Sequence, residues 1–150
     1  WAKEPVALNM IDEKGLKDLL KNNSDKLRLI NIWATWCGPC VKEFPSFIEM
    51  NRMYRGRDFE FVSISADDPS NKDKALKFLQ KSQASATNYI FSLEDKYKLI
   101  EAVDPAWQGA LPYTIIVEPG GKIVYAKQGI IDPLTIKKMI VENRMIGRYY

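Results

Sequence analysis

Apolar positions along this chain follow two different periods, and the switches between them mark out its elements. Leu27 to Trp33 is a near-continuous apolar, β-branched run, the pattern of a buried strand. Phe59 to Ser65, Asn88 to Leu93 and Tyr113 to Glu118 read as further strands, and Val6 to Ile11 as a short edge strand. Helical spacing fills the intervals. Leu16, Leu19 and Leu20 lie on one stripe of a helix from Asp12 to Lys21, with Asp12 as its N-cap. Phe44, Phe47 and Ile48 do the same for a helix reaching Tyr54, with Lys42, Glu49 and Arg52 largely off the stripe and Pro45 expected to kink it. A helix from Asn71 to Lys81 turns Ala75, Phe78 and Leu79 inward, and Glu94 to Val103 forms a shorter one. Pro119-Gly120-Gly121 is a tight turn into an antiparallel partner strand, Lys122 to Lys127. Pro133 opens a last helix with Ile136, Met139, Ile140 and Met145 toward the sheet. The order β-α-β-α-β-α-β, then hairpin, then helix predicts an α/β fold with a mixed central sheet flanked by helices on both faces.

Length and composition narrow the class. With 150 residues, 46% hydrophobic and 27% charged, the chain reads as a single globular domain over residues 1–150. A net charge of +3 is too small, and its lysines too dispersed, for a nucleic-acid partner. Lys137, Lys138, Arg144 and Arg148 read as the solvated face of the last helix. No run is long enough to span a membrane. A chain that begins at Trp1 leaves room for a processed or anchoring segment upstream.

Chemistry concentrates where the Leu27–Trp33 strand gives way to the next helix. Cys37 and Cys40, the only cysteines in the chain, sit at that junction. Pro39 suits the first turn of a helix, where its missing N–H costs nothing. Cys37 then lies against the free N–H groups of that turn. They and the helix dipole favour a thiolate and lower the thiol pKa below its free value of about 8.5. Cys40, a turn further in, is the shielded partner. Other uses of such a pair fit less well. Zinc needs two more ligands, and there is no histidine and no third cysteine. Haem attachment needs a histidine after the second cysteine, where Val41 stands. No metal and no cofactor are expected.

Trp36-Cys37-Gly38-Pro39-Cys40 resembles the active-site motif of the thioredoxin superfamily. The longer string from Asn31 to Pro45 is similar to the extracytoplasmic, often membrane-tethered thiol–disulfide oxidoreductases of the TlpA/ResA type. The resemblance covers nearly the whole chain and implies a thioredoxin-like fold with a central αβ insertion before Tyr113. It implies that Cys37 and Cys40 form a redox-active disulfide, with a cis Pro112 across from it. The backbone of Leu111 would then hold an extended substrate beside Trp36, Gly38 and Pro39. Two positions depart from cytosolic thioredoxins. Their buried aspartate is replaced by Asn31, which cannot titrate, and Glu43, three residues past Cys40, matches the TlpA/ResA acid. Spacing alone leaves Glu43 open between a solvated helix acid and a proton acceptor; the resemblance favours the second. Trp33 reads as core and Trp36 as surface. Trp107-Gln108-Gly109, in the loop Asp104–Leu111, has no assigned role.

The expected function is a thiol–disulfide oxidoreductase, most simply a reductant of protein disulfides in the periplasm or envelope, serving cell redox homeostasis. Its expected partners are disulfide-containing protein substrates and an upstream thiol donor such as a membrane thiol transporter, with the protein itself a monomer. Two readings compete. One is a peroxiredoxin-like thiol peroxidase, although the Pro-x-x-x-Thr-x-x-Cys spacing is lacking. The other is a non-catalytic thioredoxin-fold binding module in which the disulfide only staples the helix.

Overall fold

The structure, a computed structural model, describes residues 4–143; Arg144, Met145 and Arg148, assigned above to the last helix, lie outside them. Six strands, β1 (Asn9–Ile11), β2 (Leu27–Trp33), β3 (Phe59–Ser65), β4 (Thr87–Phe91), β5 (Tyr113–Val117) and β6 (Ile123–Gln128), form one sheet in the order β1-β4-β3-β2-β5-β6. The first four are parallel to one another, and β5 and β6 are added antiparallel. The helices α1 (Glu13–Lys21), α2 (Gly38–Tyr54), α3 (Lys72–Lys81), α4 (Lys96–Val103) and α5 (Pro133–Glu142) cover both faces. β2 lies near the centre because every one of its residues except Arg28 is buried. Its flanking strands cover both edges, and helices cover both faces.

The two faces have separate cores. Phe44 and Phe47 of α2, Ala75 and Leu79 of α3, and Ile136 and Ile140 of α5 pack on Leu29, Trp33, Phe61 and Ile116. Leu16 of α1 and Leu99 and Val103 of α4 pack on Ile30, Ile32, Val62, Ile64 and Ile115 from the other side. An aromatic chain fixes α2 to the sheet. Phe47 stacks on Phe61 with centroids 5.4 Å apart, and Phe44 lies 5.1 Å from Trp33. Each such side chain, fully buried, contributes roughly 1.5–3 kcal/mol. That anchoring holds the N-terminus of α2 at the C-terminal edge of the parallel strands.

One row of the α2-side face is polar. Thr114, Asn31, Ser63 and Asn88 stand side by side at one register across β5, β2, β3 and β4, all buried. Asn31 Nδ2 donates to Thr114 Oγ1 (3.2 Å), and Ser63 Oγ donates to Asn88 Oδ1 (2.7 Å). Asn88 Nδ2 in turn donates to the carbonyls of Ala7, Ala84 and Ala86.

Several boundaries differ from the sequence reading, among them those of β4, α4 and β1. The strand expected at Asn88–Leu93 ends at Phe91, and Leu93 is fully on the outside. The helix expected from Glu94 starts at Lys96, because Asp95 serves as its N-cap and accepts the Tyr97 N–H. The edge strand shrinks to Asn9–Ile11, since the Ala7 carbonyl is taken by Asn88 rather than by a ladder. Asp12 does cap α1, accepting the Gly15 N–H at 2.7 Å. α2 runs without interruption through Pro45. Lys137 is ion-paired with Glu49 of α2 rather than simply solvated, whereas Lys138 is exposed.

Candidate functional site

At the junction of β2 and α2 the chain makes a four-residue turn, Ala34 to Cys37, closed by the Cys37 N–H donating to the Ala34 carbonyl (3.1 Å). Cys37 is the N-cap of α2, and its Sγ accepts the Cys40 N–H at 3.3 Å. The sequence explains why this contact forms. Pro39 contributes no N–H, so the donor facing the sulfur is that of the third helical residue. Cys37 and Cys40 are joined in a disulfide. Cys37 is 7% exposed and Cys40 not at all, whereas the neighbouring Trp36 is 63% exposed. Gly38 and Pro39 are also exposed. Of the pair, Cys37 therefore keeps a little exposure and Cys40 keeps none.

Pro112 is buried and follows a cis peptide bond at Leu111. Its carbonyl accepts the Gly129 N–H (2.8 Å), which ties the start of β5 to the end of β6. Leu111 is half-buried and packs against both cores. The preceding loop is built rather than loose. Trp107 is buried and stacks on Tyr113 with centroids 4.7 Å apart, and its Nε1 donates to the Ala110 carbonyl. The Tyr113 hydroxyl donates to Asp104 at 2.6 Å; burial first, and then Asp104, push that phenol up from its ordinary value. Gly109 has φ +89°, which favours glycine, and a Cβ there would also press on the end of the Ile100 side chain at 2.8 Å.

Glu43, one turn beyond Cys40 on α2, is only 7% exposed and is not a solvated helix acid. Its Oε2 accepts the Ile131 backbone N–H at 3.1 Å, and its Oε1 has no hydrogen-bond partner among the described residues. Burial pushes this carboxyl up from its ordinary value, partly offset by the Ile131 N–H. Tyr125 of β6 is likewise pushed up, by burial and then by the charge of Glu43. Asn31 is wholly buried, with an unpartnered Oδ1 among the described residues. Trp33 is core.

Sequence reasoning missed a further acid. Asp67, read as part of a turn, is 1% exposed. It accepts the Thr35 N–H (3.0 Å), the Thr35 hydroxyl (2.7 Å) and the Ser65 hydroxyl (2.6 Å). A signal was present. β2 and β3 are equally long and pair Trp33 with Ser65, so two residues further on Thr35 faces Asp67. Ile131, whose N–H holds Glu43, left no such trace. Among the described residues there is no cluster of three or more metal-ligating side chains, and no helix is long and apolar enough to cross a membrane.

This arrangement agrees with a profile match that covers most of the chain, to Redoxin, over residues 8–140. The chain belongs to the Redoxin family. Within its reach are the thiol-disulfide oxidoreductase ResA of Bacillus subtilis, 26% identical over 118 residues, and ResA of Bacillus anthracis, 28% identical over 122 residues. These alignments take in 79% and 81% of this Redoxin-family chain but 62% and 66% of the relatives, so it spans less than two thirds of their length. A thiol:disulfide interchange protein from Bacteroides sp. superposes with a TM-score of 0.65 at 26% identity, covering 94% of this chain and 90% of that one. StoA from Bacillus subtilis, at 19% identity and a TM-score of 0.60 over 77% and 83% of the two chains, shares the fold. The mixed sheet with helices on both faces is thus the thioredoxin-like architecture that Asn31–Pro45 resembled.

Proposed function

We propose that this chain is a thiol–disulfide oxidoreductase that reduces protein disulfides. The observation that carries the reading is the asymmetry of the cysteine pair, with a helix-capping, slightly exposed Cys37 beside a wholly buried Cys40. The Cys37 thiolate attacks one sulfur of a substrate disulfide, and the other substrate sulfur leaves and takes up a proton. Cys40 then loses its proton and attacks Cys37 Sγ. The Cys37–Cys40 disulfide forms, the second substrate thiol departs, and two electrons have passed to the substrate. The closed disulfide of this structure corresponds to the end of that sequence. Glu43 is the acceptor for the Cys40 proton, because it lies one turn away, is shielded, and has an oxygen, Oε1, without a partner among the described residues. Trp36, Gly38, Pro39 and the Leu111–Pro112 backbone form the docking surface for an extended substrate segment.

The substrates are disulfide-containing proteins, the reducing equivalents come from an upstream thiol donor, and the setting is extracytoplasmic. The likeness to a relative named thiol-disulfide oxidoreductase supports the first of these statements, and the resemblance of Asn31–Pro45 to the TlpA/ResA type implies the other two. The whole of residues 1–150 acts as one domain. The test is reduction of a model protein disulfide by the pre-reduced chain. Cys37→Ser should abolish the reaction, and Cys40→Ala should leave the substrate covalently attached to Cys37. Peroxide consumption without disulfide reduction would identify a thiol peroxidase, and inertness toward both would leave a binding module.

A further inference from the structure

The carboxylate of Asp67 is buried, lies at the C-terminal edge of the sheet and takes no part in the scheme above. Its contacts all run to the segments that lead into the site. Ser65 Oγ donates to Asp67 Oδ2 and accepts the Asp67 N–H (3.1 Å), so the acid is itself held in one orientation. Its two oxygens then take both donors of Thr35, the backbone N–H and the hydroxyl. Thr35 and Trp36 are the central residues of the Ala34–Cys37 turn. A backbone bond from the Ala66 N–H to the Trp33 carbonyl (2.7 Å) extends the β2–β3 ladder up to this contact.

We infer that Asp67 is a positioning residue: through Thr35 it fixes the turn that presents Trp36 outward and sets Cys37 as the cap of α2. The inference rests on the reading of Cys37 as the nucleophile. It follows from what the turn would do without this acid. Ala34 is buried and fixed by the strand, and Cys40 is fixed by the core. The turn between them carries one internal backbone bond, and Thr35 is its only central residue tied to the sheet edge by a side chain. Charge-assisted bonds of this kind are the stronger ones and specify direction. Without them the turn can rotate, and Cys37 Sγ no longer stays on the Cys40 N–H that stabilises its thiolate.

The test uses the reduced 150-residue chain and limiting iodoacetamide at mildly acidic pH, with a pH titration of the Cys37 thiolate beside it. Thr35→Val keeps the shape and loses the hydroxyl. It should slow Cys37 alkylation about three- to tenfold and raise the Cys37 pKa. Thr35→Ser, which restores the hydroxyl, should return alkylation to within about twofold of wild type. Asp67→Asn, which cannot accept all three bonds, should follow Thr35→Val. Asp68→Asn, which removes the neighbouring exposed charge, should match wild type. Wild-type rates in both Thr35→Val and Asp67→Asn would overturn the inference, as would a Thr35→Ser no better than Thr35→Val. Faster alkylation in Asp67→Asn would also overturn it, since the acid would then act on the sulfur by its charge. If Asp67→Asn does not fold, the Thr35 pair still decides. A wild-type Cys37 no more reactive than Cys40 would instead remove the assignment of the nucleophile on which the inference stands.

Discussion

Glu43 has one oxygen on a backbone N–H and one with no partner among the described residues, and burial there raises its pKa and so its readiness to take a proton. Glu43→Gln preserves the shape and an acceptor for Ile131 but cannot take a proton. We expect it to keep the first attack by Cys37, to slow resolution about tenfold or more, and to accumulate the mixed disulfide, as acid quenching and mass spectrometry would show. A wild-type turnover rate with no trapped adduct would rule that role out. The same burial has a thermodynamic sign. The folded pKa is raised above the unfolded one, so between the two values the folded protein binds more protons. The stability it confers is complete below the ordinary carboxyl range and falls as pH rises through the raised pKa. The oxidised Glu43→Gln variant should therefore gain on wild type from mildly acidic to neutral pH in urea unfolding. Sequence spacing placed Glu43 near Cys40, because three residues on a helix define a face. Its partner Ile131 is 88 residues away, and no local pattern reports a contact of that range.

Among the elements, β2 and β3 were legible to the residue, because buried strands consist of the β-branched and aromatic runs that betray them. The loop from Asp104 to Leu111 was not, because its order comes from a stack and three side-chain bonds rather than from any period. Its effect is to brace the approach to Leu111. Trp107→Phe keeps the stack and loses the bond to Ala110, and should cost about 1 kcal/mol. Trp107→Ala removes a buried indole and should cost about 3–5 kcal/mol. Both should raise the KM for a protein disulfide more than they lower kcat, because they disturb docking rather than the sulfurs. Urea unfolding and steady-state kinetics check the two parts, and an unchanged KM in Trp107→Ala would separate the loop from docking.

Across the whole molecule, the redox couple and folding are linked through one cycle. Cys37 Sγ receives the Cys40 N–H, Pro39 offers none, and the chain contains no histidine to add charge. Stabilisation of the thiolate should thus be moderate, and we expect the disulfide form to be favoured in the folded state. The oxidised protein should be the more stable of the two by about 1–3 kcal/mol, with about 1.4 kcal/mol for each 30 mV below an unconstrained dithiol. A reduced form that outlasts the oxidised one in urea would make the protein an oxidant. The sheet as a whole was legible in its order of elements, whereas the polar row Thr114–Asn31–Ser63–Asn88 was not, since each member looks like an isolated interruption of an apolar run. That row acts like the teeth of a key. Sliding any of these four strands by one residue would turn its polar member to the opposite core and strand its neighbour's hydrogen bond, and sliding by two would set it against an apolar side chain. Three of these strands are parallel and joined by long crossovers, with no tight turn to fix their alignment, so the polar row disfavours misaligned sheets.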